Sequence, residues 1–171
     1  MKRMSKDFYY LNIAEAVSQR STCITKHYGA VIVNNDRIIS TGYNGAPRNC
    51  NNCCDSGECI RLKKGMKRGT NYADGCVSVH GEQNAIISAP VNLMNHATLY
   101  LYGYDMLRDK LVEHPDCCAI CKRMIINAGI DTVIIADPEV GIPSTDPDCQ
   151  YRAKIIKVSD WTDGNAIIAA Y

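Results

Sequence analysis

The stretch VHGEQNAIISA, residues 79–89, decides how the sequence folds around its chemistry. A histidine and a glutamate two positions apart are followed by small and aliphatic residues at helical spacing. Residues two apart in a regular helix point in different directions, so His80 and Glu82 can act on one target only if His80 lies at or before the first turn. The stretch therefore predicts that both side chains stand at the entrance of a helix.

Length and composition limit the chain to one ordinary domain. With 171 residues it can bury one sizeable core but not two. Hydrophobic residues make up 46% and charged residues 22%, which is typical of globular proteins. A net charge of +1 gives no strong footprint for duplex nucleic acid or an anionic membrane. We therefore expect neither partner, whereas a small anionic ligand is compatible with this charge.

The cysteine count favours metal over disulfides. The apolar runs are far shorter than the roughly 20 residues that span a bilayer. Residues 1–16 mix charges into an amphipathic pattern instead of forming an apolar signal core. We therefore expect a cytoplasmic protein, in which thiols stay reduced and the ten cysteines are candidates for metal ligands.

The hydrophobic pattern predicts alternating strands and helices after an initial hairpin. Apolar residues at every third position predict a helix over residues 7–20, with Ser5 or Asp7 as its cap. The predicted strands are residues 30–33, 37–40, 97–103, 132–136 and 154–158. Further helices are predicted from His80, over residues 118–128, and from about Asp160 to the end.

This order predicts an α/β fold, a three-layer α/β/α sandwich with a mixed five-stranded sheet that is mostly parallel at one end. Residues 48–76 show no periodicity and include the basic run RLKKGMKR. A structureless loop of that length is unusual in a compact domain unless something ties it down. A metal ion could provide that tie.

Cys118 and Cys121 are separated by two residues at the start of the helix over 118–128. This spacing lets two thiolates bind one zinc ion, and the N–H groups of a first helical turn help to keep them deprotonated. The same spacing also occurs in redox motifs and in half of a structural zinc site. The pair alone therefore leaves three interpretations open.

His80 and Glu82 favour a catalytic zinc site. Helices that follow strands of one α/β sheet begin at the same edge, so the two helix entrances can converge on one ion. His80, Cys118 and Cys121 would supply three protein ligands and leave the fourth position open for water, as catalytic zinc sites do. Glu82, which is not needed as a ligand, could then move protons between water and a substrate nitrogen.

The chain carries H-x-E followed by C-x-x-C, which matches the signature H-x-E followed by P-C-x-x-C of zinc-dependent nucleobase deaminases except at the proline. Beyond it, the chain resembles the deoxycytidylate deaminase family through the stretches SQRSTC, YGAVIV, RIISTGYNGAP, VHGEQNAII and CKRMIINAGI, in the family's order. The resemblance implies one deoxycytidylate deaminase domain over residues 1–171 with the cytidine deaminase-like fold. It also implies conversion of dCMP to dUMP for thymidylate synthesis, and a homohexamer regulated allosterically by dCTP and dTTP.

Residue by residue, the resemblance implies zinc ligands at His80, Cys118 and Cys121 and a proton shuttle at Glu82. Asn44, in GYNG, falls where the superfamily has an asparagine that hydrogen-bonds the nucleoside. Two positions depart from the family pattern. Gly81 replaces the usual alanine, and Cys117 replaces the proline that normally precedes the first cysteine, so Cys117 is an alternative partner for Cys121.

The resemblance suggests further ligand sites. Cys23, Cys53 and Cys76 fall at positions where some family members, phage enzymes especially, have ligands of a second, structural zinc or residues near them. Cys50, Cys54 or Cys59 could complete the set. The other interpretation is that several of these cysteines are buried apolar thiols. Arg20 and Ser21 are candidates for the substrate phosphate. An effector triphosphate could bring Mg²⁺, although RLKKGMKR fits a solvated loop better than an effector site.

Three other functions stay open at this point. The chain could deaminate free cytidine or deoxycytidine, or adenosine in tRNA, for which the charge of +1 gives little support. It could also be a non-catalytic module stabilised by zinc. That last function predicts four protein ligands and leaves Glu82 without a role.

Overall fold

The computed structural model describes residues 3–66 and 75–162 of the chain. Its helices are α1 (Lys6–Ser18), α2 (Cys53–Ser56), α3 (Ile60–Lys63), α4 (Gly81–Ser88) and α5 (Ala119–Asn127), with 3-10 turns at Val91–Leu93 and Val158–Trp161. Its strands are β1 (Lys26–Asn34), β2 (Arg37–Tyr43), β3 (Thr98–Asp105), β4 (Lys110–Leu111), β5 (Thr132–Asp137), β6 (Ile142–Pro143) and β7 (Arg152–Lys157). No helix of these residues is both long and apolar enough to cross a membrane.

The strands form one mixed sheet in the order β2-β1-β3-β5-β7-β6, with β4 paired to β3. The five predicted strands are all present, and the sheet gains the two-residue strands β4 and β6. The predicted parallel end is wrong, because among the described strands the only parallel neighbours are β3 and β5, and β7 runs antiparallel to β5. A parallel return requires a crossover, usually a helix, but the described link from β5 to β7 contains only turns and β6.

The three predicted layers are confirmed by two cores on opposite faces of the sheet. On one face, Phe8 and Leu11 of α1 pack against Val31 and Tyr100. On the other face, α4 and α5 bury residues such as Ala85 and Ile125 against the alternate positions of the same strands. Because successive strand residues point to opposite faces, the central strands are buried on both sides, as in a sandwich.

Local sequence explains the ends of the first elements. The N-cap of α1 is Ser5, whose side chain accepts a hydrogen bond from the backbone N–H of Phe8. The hairpin turns through Asn35 and Asp36, whose φ angles of 49° and 61° suit a type I′ turn. The predicted terminal helix starts as the 3-10 turn Val158–Trp161, and its part beyond residue 162 lies outside the described residues.

Candidate metal centre and active-site cavity

Helix α4 places His80 where the sequence predicts it, immediately before the first turn. His80 is the N-cap residue, with extended backbone (φ −72°, ψ 157°). Its backbone N–H donates to Oε1 of Gln83 at 2.9 Å, which satisfies a group at the helix start. His80 and Glu82 can therefore face the same space although they are two residues apart.

Helix α5 presents the cysteine pair in a similar way. Cys118 is the N-cap residue, and its Sγ accepts a hydrogen bond from the backbone N–H of Cys121 at 3.4 Å. Strands β2 and β3 run in the same direction on either side of β1, because each is antiparallel to it. Residues that follow β2 and β3 therefore leave the sheet at the same edge, which brings the two helix entrances together.

Three potential metal ligands meet at this edge. Nδ1 of His80 lies 3.2 Å from Sγ of Cys121 and 3.4 Å from Sγ of Cys118, and the three atoms lie within 4.8 Å of one another. Within residues 3–66 and 75–162, this is the only group of three such side chains. A tetrahedral zinc with ordinary bond lengths separates its nitrogen and sulfur ligands by about 3.6 Å. The two nitrogen–sulfur distances therefore need to lengthen by only a few tenths of an ångström to suit zinc.

Neighbouring hydrogen bonds favour the thiolate form of Cys118. Hydrogen bonds with Cys121 and, against the effect of burial, with His80 lower the pKa of Cys118 to about 4. Burial alone would lower the pKa of His80, but the hydrogen bond with Cys118 and the charge of Glu82 outweigh it and raise that pKa. The hydrogen bond with Cys118, together with burial, raises the pKa of Cys121. A thiolate at Cys118 thus lies beside His80 and Cys121, whose protons a bound cation can displace.

Glu82 is a buried carboxyl group in the first turn of α4. Its residue is only 5% exposed, and burial raises its pKa, although the nearby His80 opposes this effect. A buried carboxyl group next to a metal site can accept a proton and release it again. Its place in the structure matches the predicted proton shuttle.

Close packing fixes α4 on the sheet. A Cβ atom on Gly42 of β2 would lie 2.2 Å from the backbone nitrogen of Ala85 and 2.4 Å from the carbonyl oxygen of Gly81. Only glycine lets the helix approach so closely. Oγ of Ser40 also donates to the carbonyl of Ala85 at 2.7 Å. The distance between the sheet and His80 is therefore set by Gly42.

His80, Glu82 and Cys118 line a cavity of about 300 Å³ that could admit a small ligand. Asn44 and Asp116 line it too, as do the cations Lys26 and Arg61. A larger cavity, of about 850 Å³, lies beside α1 and includes none of the predicted site residues. The chemistry of the lining, not the volume, identifies the smaller cavity as the candidate active site.

The family described as "Cytidine and deoxycytidylate deaminase zinc-binding region" matches residues 4–137. The chain belongs to this family. Zinc is therefore the metal expected at His80, Cys118 and Cys121, and the cytidine deaminase-like fold is confirmed.

Individual relatives agree with this assignment. The chain is 36% identical over 138 residues to a deoxycytidylate deaminase of Mycobacterium phage D29, covering 78% of this chain and 96% of the relative. It is 33% identical over 136 residues to the deoxycytidylate deaminase of Saccharomyces cerevisiae, covering 78% of this chain but only 38% of that longer protein. A crystal structure of the dCMP deaminase from cyanophage S-TIM5 in complex with dCMP and dUMP matches with a TM-score of 0.53 and 25% identity, covering 79% of this chain and 85% of that one.

Asn44 lines the cavity, and its side chain also holds neighbouring segments together through hydrogen bonds. Its Oδ1 accepts hydrogen bonds from the backbone N–H of Tyr28 and from Oγ of Ser21, both at 2.7 Å, and its Nδ2 donates to the carbonyl of Lys26 at 2.9 Å. Of the two residues predicted for the phosphate, Ser21 thus supports Asn44. Arg20 is exposed and, with Arg48, lines a separate cavity of about 380 Å³.

The cysteines predicted for a second zinc lie near one another and near the cavity. Cys23 and Cys76 line the cavity, together with Cys59. Burial and then the charges of Cys23, Cys59 and Cys76 raise the pKa of Cys53, so these thiols are neighbours. They are not drawn together as tightly as the ligand atoms of the first group.

Sequence reasoning missed Lys26, Arg61 and Asp116 as lining residues. Arg61 belongs to the basic run that the sequence favours as a solvated loop, and Lys26 is a single cation before a strand, so neither carried a distinct signal. The alternative ligand Cys117 is now placed. It is buried, burial raises its pKa well above the ordinary value, and it is not part of the ligand group.

Proposed function

We propose that the chain is a zinc-dependent hydrolase that converts dCMP and water to dUMP and ammonia. This proposal rests on the buried carboxyl group of Glu82, which lines the same cavity as the zinc ligands His80 and Cys118. A purely structural zinc site would have no use for a buried acid beside an incomplete set of protein ligands. The proposal treats residues 1–171 as one deaminase domain that supplies the thymidylate precursor in pyrimidine metabolism.

Glu82 carries the proton transfers in this proposal. Zinc bound at His80, Cys118 and Cys121 supplies Lewis acidity. Glu82 accepts a proton from the attacking water and delivers it to N3 of cytosine while the water oxygen adds to C4. Glu82 then relays the second proton to the exocyclic nitrogen, the C4–N bond breaks, and ammonia leaves.

The charges around the cavity favour a nucleotide over a free nucleoside. Lys26 and Arg61 bring two cations to the lining, and the acid Asp116 is already paired with Lys122 at 2.6 Å. Cations at the wall of a cavity can bind a phosphate while the base lies at the metal. We assign the 5′-phosphate to Lys26 and Arg61, and the sugar to Asn44, held by Ser21. This replaces the direct phosphate contact expected of Arg20 and Ser21.

The second zinc is proposed for Cys23, Cys53 and Cys76, with Cys59 as the fourth ligand. The proximity of Cys23, Cys59 and Cys76 to Cys53 supports it. All-cysteine sets are typical of structural zinc, and such a site would tie residues 48–66 to the start of β1. Zinc content should then be two ions per chain, falling to one in Cys53→Ser.

Regulation, assembly and location are proposals that follow from the family. We expect dCTP to activate and dTTP to inhibit, with Mg²⁺ accompanying the triphosphate, and a cytoplasmic homohexamer. Turnover with and without each effector, and the mass of the protein in solution, test these points separately from the chemistry.

An ammonia-release assay across dCMP, deoxycytidine, CMP and dCTP tests the proposed substrate. We expect dCMP to be preferred, and Lys26→Gln and Arg61→Gln to raise KM for dCMP while leaving turnover of deoxycytidine unchanged. Equal preference for deoxycytidine in the unmodified chain would favour the nucleoside alternative. No ammonia from any of them, with zinc present, would favour the non-catalytic module.

A further inference from the structure

Two lysines hold the segment of residues 115–117, which leads directly into the ligand Cys118. Nζ of Lys122 donates to Oδ2 of Asp116 at 2.6 Å, and Oδ1 of the same carboxylate accepts from the backbone N–H of Cys117 at 2.8 Å. Nζ of Lys154 donates to the carbonyl of Pro115 at 3.1 Å. Each residue of the segment is therefore tied to one of these contacts.

Lys122 is placed unusually for a lysine. Its side chain is only 7% exposed although it carries a positive charge, while the side chain of its partner Asp116 is 45% exposed. The ammonium group also lies 5.1 Å from the centre of the Trp161 ring, a cation–π contact that compensates part of its desolvation. A lysine that only improved solubility would extend into water. Because Lys122 is buried, the direction of its ion pair with Asp116 is fixed.

Lys154 is anchored as well. Its Nζ lies 3.9 Å from Oδ2 of Asp137, which is 2% exposed at the end of β5. The lysine thus connects the sheet to the carbonyl of Pro115, at the end of the segment that is farther in sequence from Cys118. Lys122 acts at its other end, next to Cys118.

These contacts hold the backbone next to position 117, where the chain lacks the proline of the family signature. The deaminase signature has proline before the first cysteine, and proline fixes the φ angle at that position. Cys117 has no such restriction, so the backbone that delivers Cys118 must be held in another way. The residue Cys117 is only 2% exposed, and its backbone N–H donates to the carboxylate of Asp116, so burial and this hydrogen bond supply that hold.

We propose that Lys122 is a positioning residue that acts through Asp116 to keep Cys118 in its zinc-binding position. The inference rests on the zinc site of the proposed function. Removing groups that orient metal ligands typically weakens metal binding by 10–100-fold. Because Lys122 holds the ligand's own loop and not the ligand atom, we expect the lower end of this range.

The test measures how fast zinc leaves the protein to a strong chelator in the unmodified chain, Lys122→Met, Lys122→Arg, Asp116→Asn and the double variant. Arg123→Met is the matched control, because Arg123 is the next residue on α5 and is exposed. We expect zinc at the His80 site to dissociate about tenfold faster in Lys122→Met and in Asp116→Asn. Lys122→Arg, which keeps a cation for Asp116, should restore most of the retention, and Arg123→Met should match the unmodified chain.

The double variant and the metal-free melting temperature separate positioning from simple stability. If Lys122 acts through Asp116, the double variant loses zinc no faster than either single variant. Asp116→Asn, at a half-exposed carboxylate, keeps an oxygen acceptor for Lys122 and should lower the melting temperature of the metal-free chain by no more than about 4 °C. This variant keeps the test decisive should Lys122→Met fail to fold.

Zinc retention equal to that of the unmodified chain in Asp116→Asn would overturn the inference. Additive losses in the double variant would also overturn it, because the two residues would then act separately. An unmodified chain that takes up no zinc at His80, Cys118 and Cys121 would instead contradict the proposed function itself, and this inference with it.

Discussion

Replacing Gly42 with alanine should displace the helix that carries both His80 and Glu82. The added Cβ would lie 2.2 Å from the backbone nitrogen of Ala85 and 2.4 Å from the carbonyl oxygen of Gly81. Both are backbone atoms, so no side chain can rotate away. Ordinary contacts begin at 3.4 Å, which requires α4 to move from β2 by about 1 Å or to tilt by a similar amount at its first turn.

This shift has a calculable cost. Overpacking of this kind destabilises proteins by about 1–3 kcal/mol, which for a chain of this size lowers the melting temperature by roughly 2–12 °C. A misplacement of about 1 Å at the reacting groups costs on the order of 100-fold in rate. We therefore expect Gly42→Ala to lose about 100-fold in kcat for dCMP and to bind zinc more weakly. The assays are ammonia release, zinc content and thermal unfolding.

Gly81→Ala is the control within the same contact. A Cβ there would lie 3.3 Å from the carbonyl oxygen of Gly42 and 3.4 Å from that of Tyr28, so a small adjustment accommodates it. Alanine is also the usual residue of the family at this position, and it favours the helix. Gly81→Ala should keep zinc and activity. Unchanged zinc content, kcat and melting temperature in Gly42→Ala would refute the claim that this contact positions the site.

Three further changes test other parts of the structure. Asn44→Ala leaves the backbone N–H of Tyr28 without its acceptor and should cost about 1–3 kcal/mol in urea unfolding, so a midpoint equal to that of the unmodified chain would contradict this structural role of Asn44. Removing zinc with a chelator should lower the melting temperature and adding zinc should restore it, because only the folded state assembles the ligands; a melting temperature that ignores zinc would count against the site. Burial raises the pKa of Tyr100 and Tyr102 above the usual 10.0, so the unfolded chain loses these protons at a lower pH than the folded chain. The stability linked to these two hydroxyls is therefore fully present below pH 10 and is lost as the pH rises further. Urea midpoints that stay constant from about pH 9 to about pH 11 would show that these hydroxyls are not buried.

The sequence predicted the site well because its signals are local. The N-cap positions of His80 and Cys118 follow from short patterns at helix starts, and their convergence follows from the direction of the strands before them. The layers were predictable for a similar reason, since the two-sided burial of β1, β3 and β5 appears as continuous apolar runs.

Contacts between distant segments were not predictable. The antiparallel direction of β7 depends on a link without a helix, and the lining role of Arg61 depends on how residues 48–66 fold back over the cavity. Closeness in sequence to Ser21 also does not determine which side of the chain the Arg20 side chain occupies, and Arg20 lines a separate cavity. The ion pair between Lys122 and Asp116 depends on the burial of Lys122 against Trp161, which lies 39 positions further along the chain.

The role of Glu82 is tested by the turnover of dCMP by Glu82→Gln, measured with the zinc content of the same sample. Glutamine has nearly the shape of glutamate, so the buried side chain and the ligand group should persist and zinc content should equal that of the unmodified chain. Loss of the proton carrier should lower kcat by at least 100-fold and up to about 10,000-fold. Ammonia release from dCMP at a near-normal rate by this zinc-loaded variant would show that Glu82 is not the proton carrier.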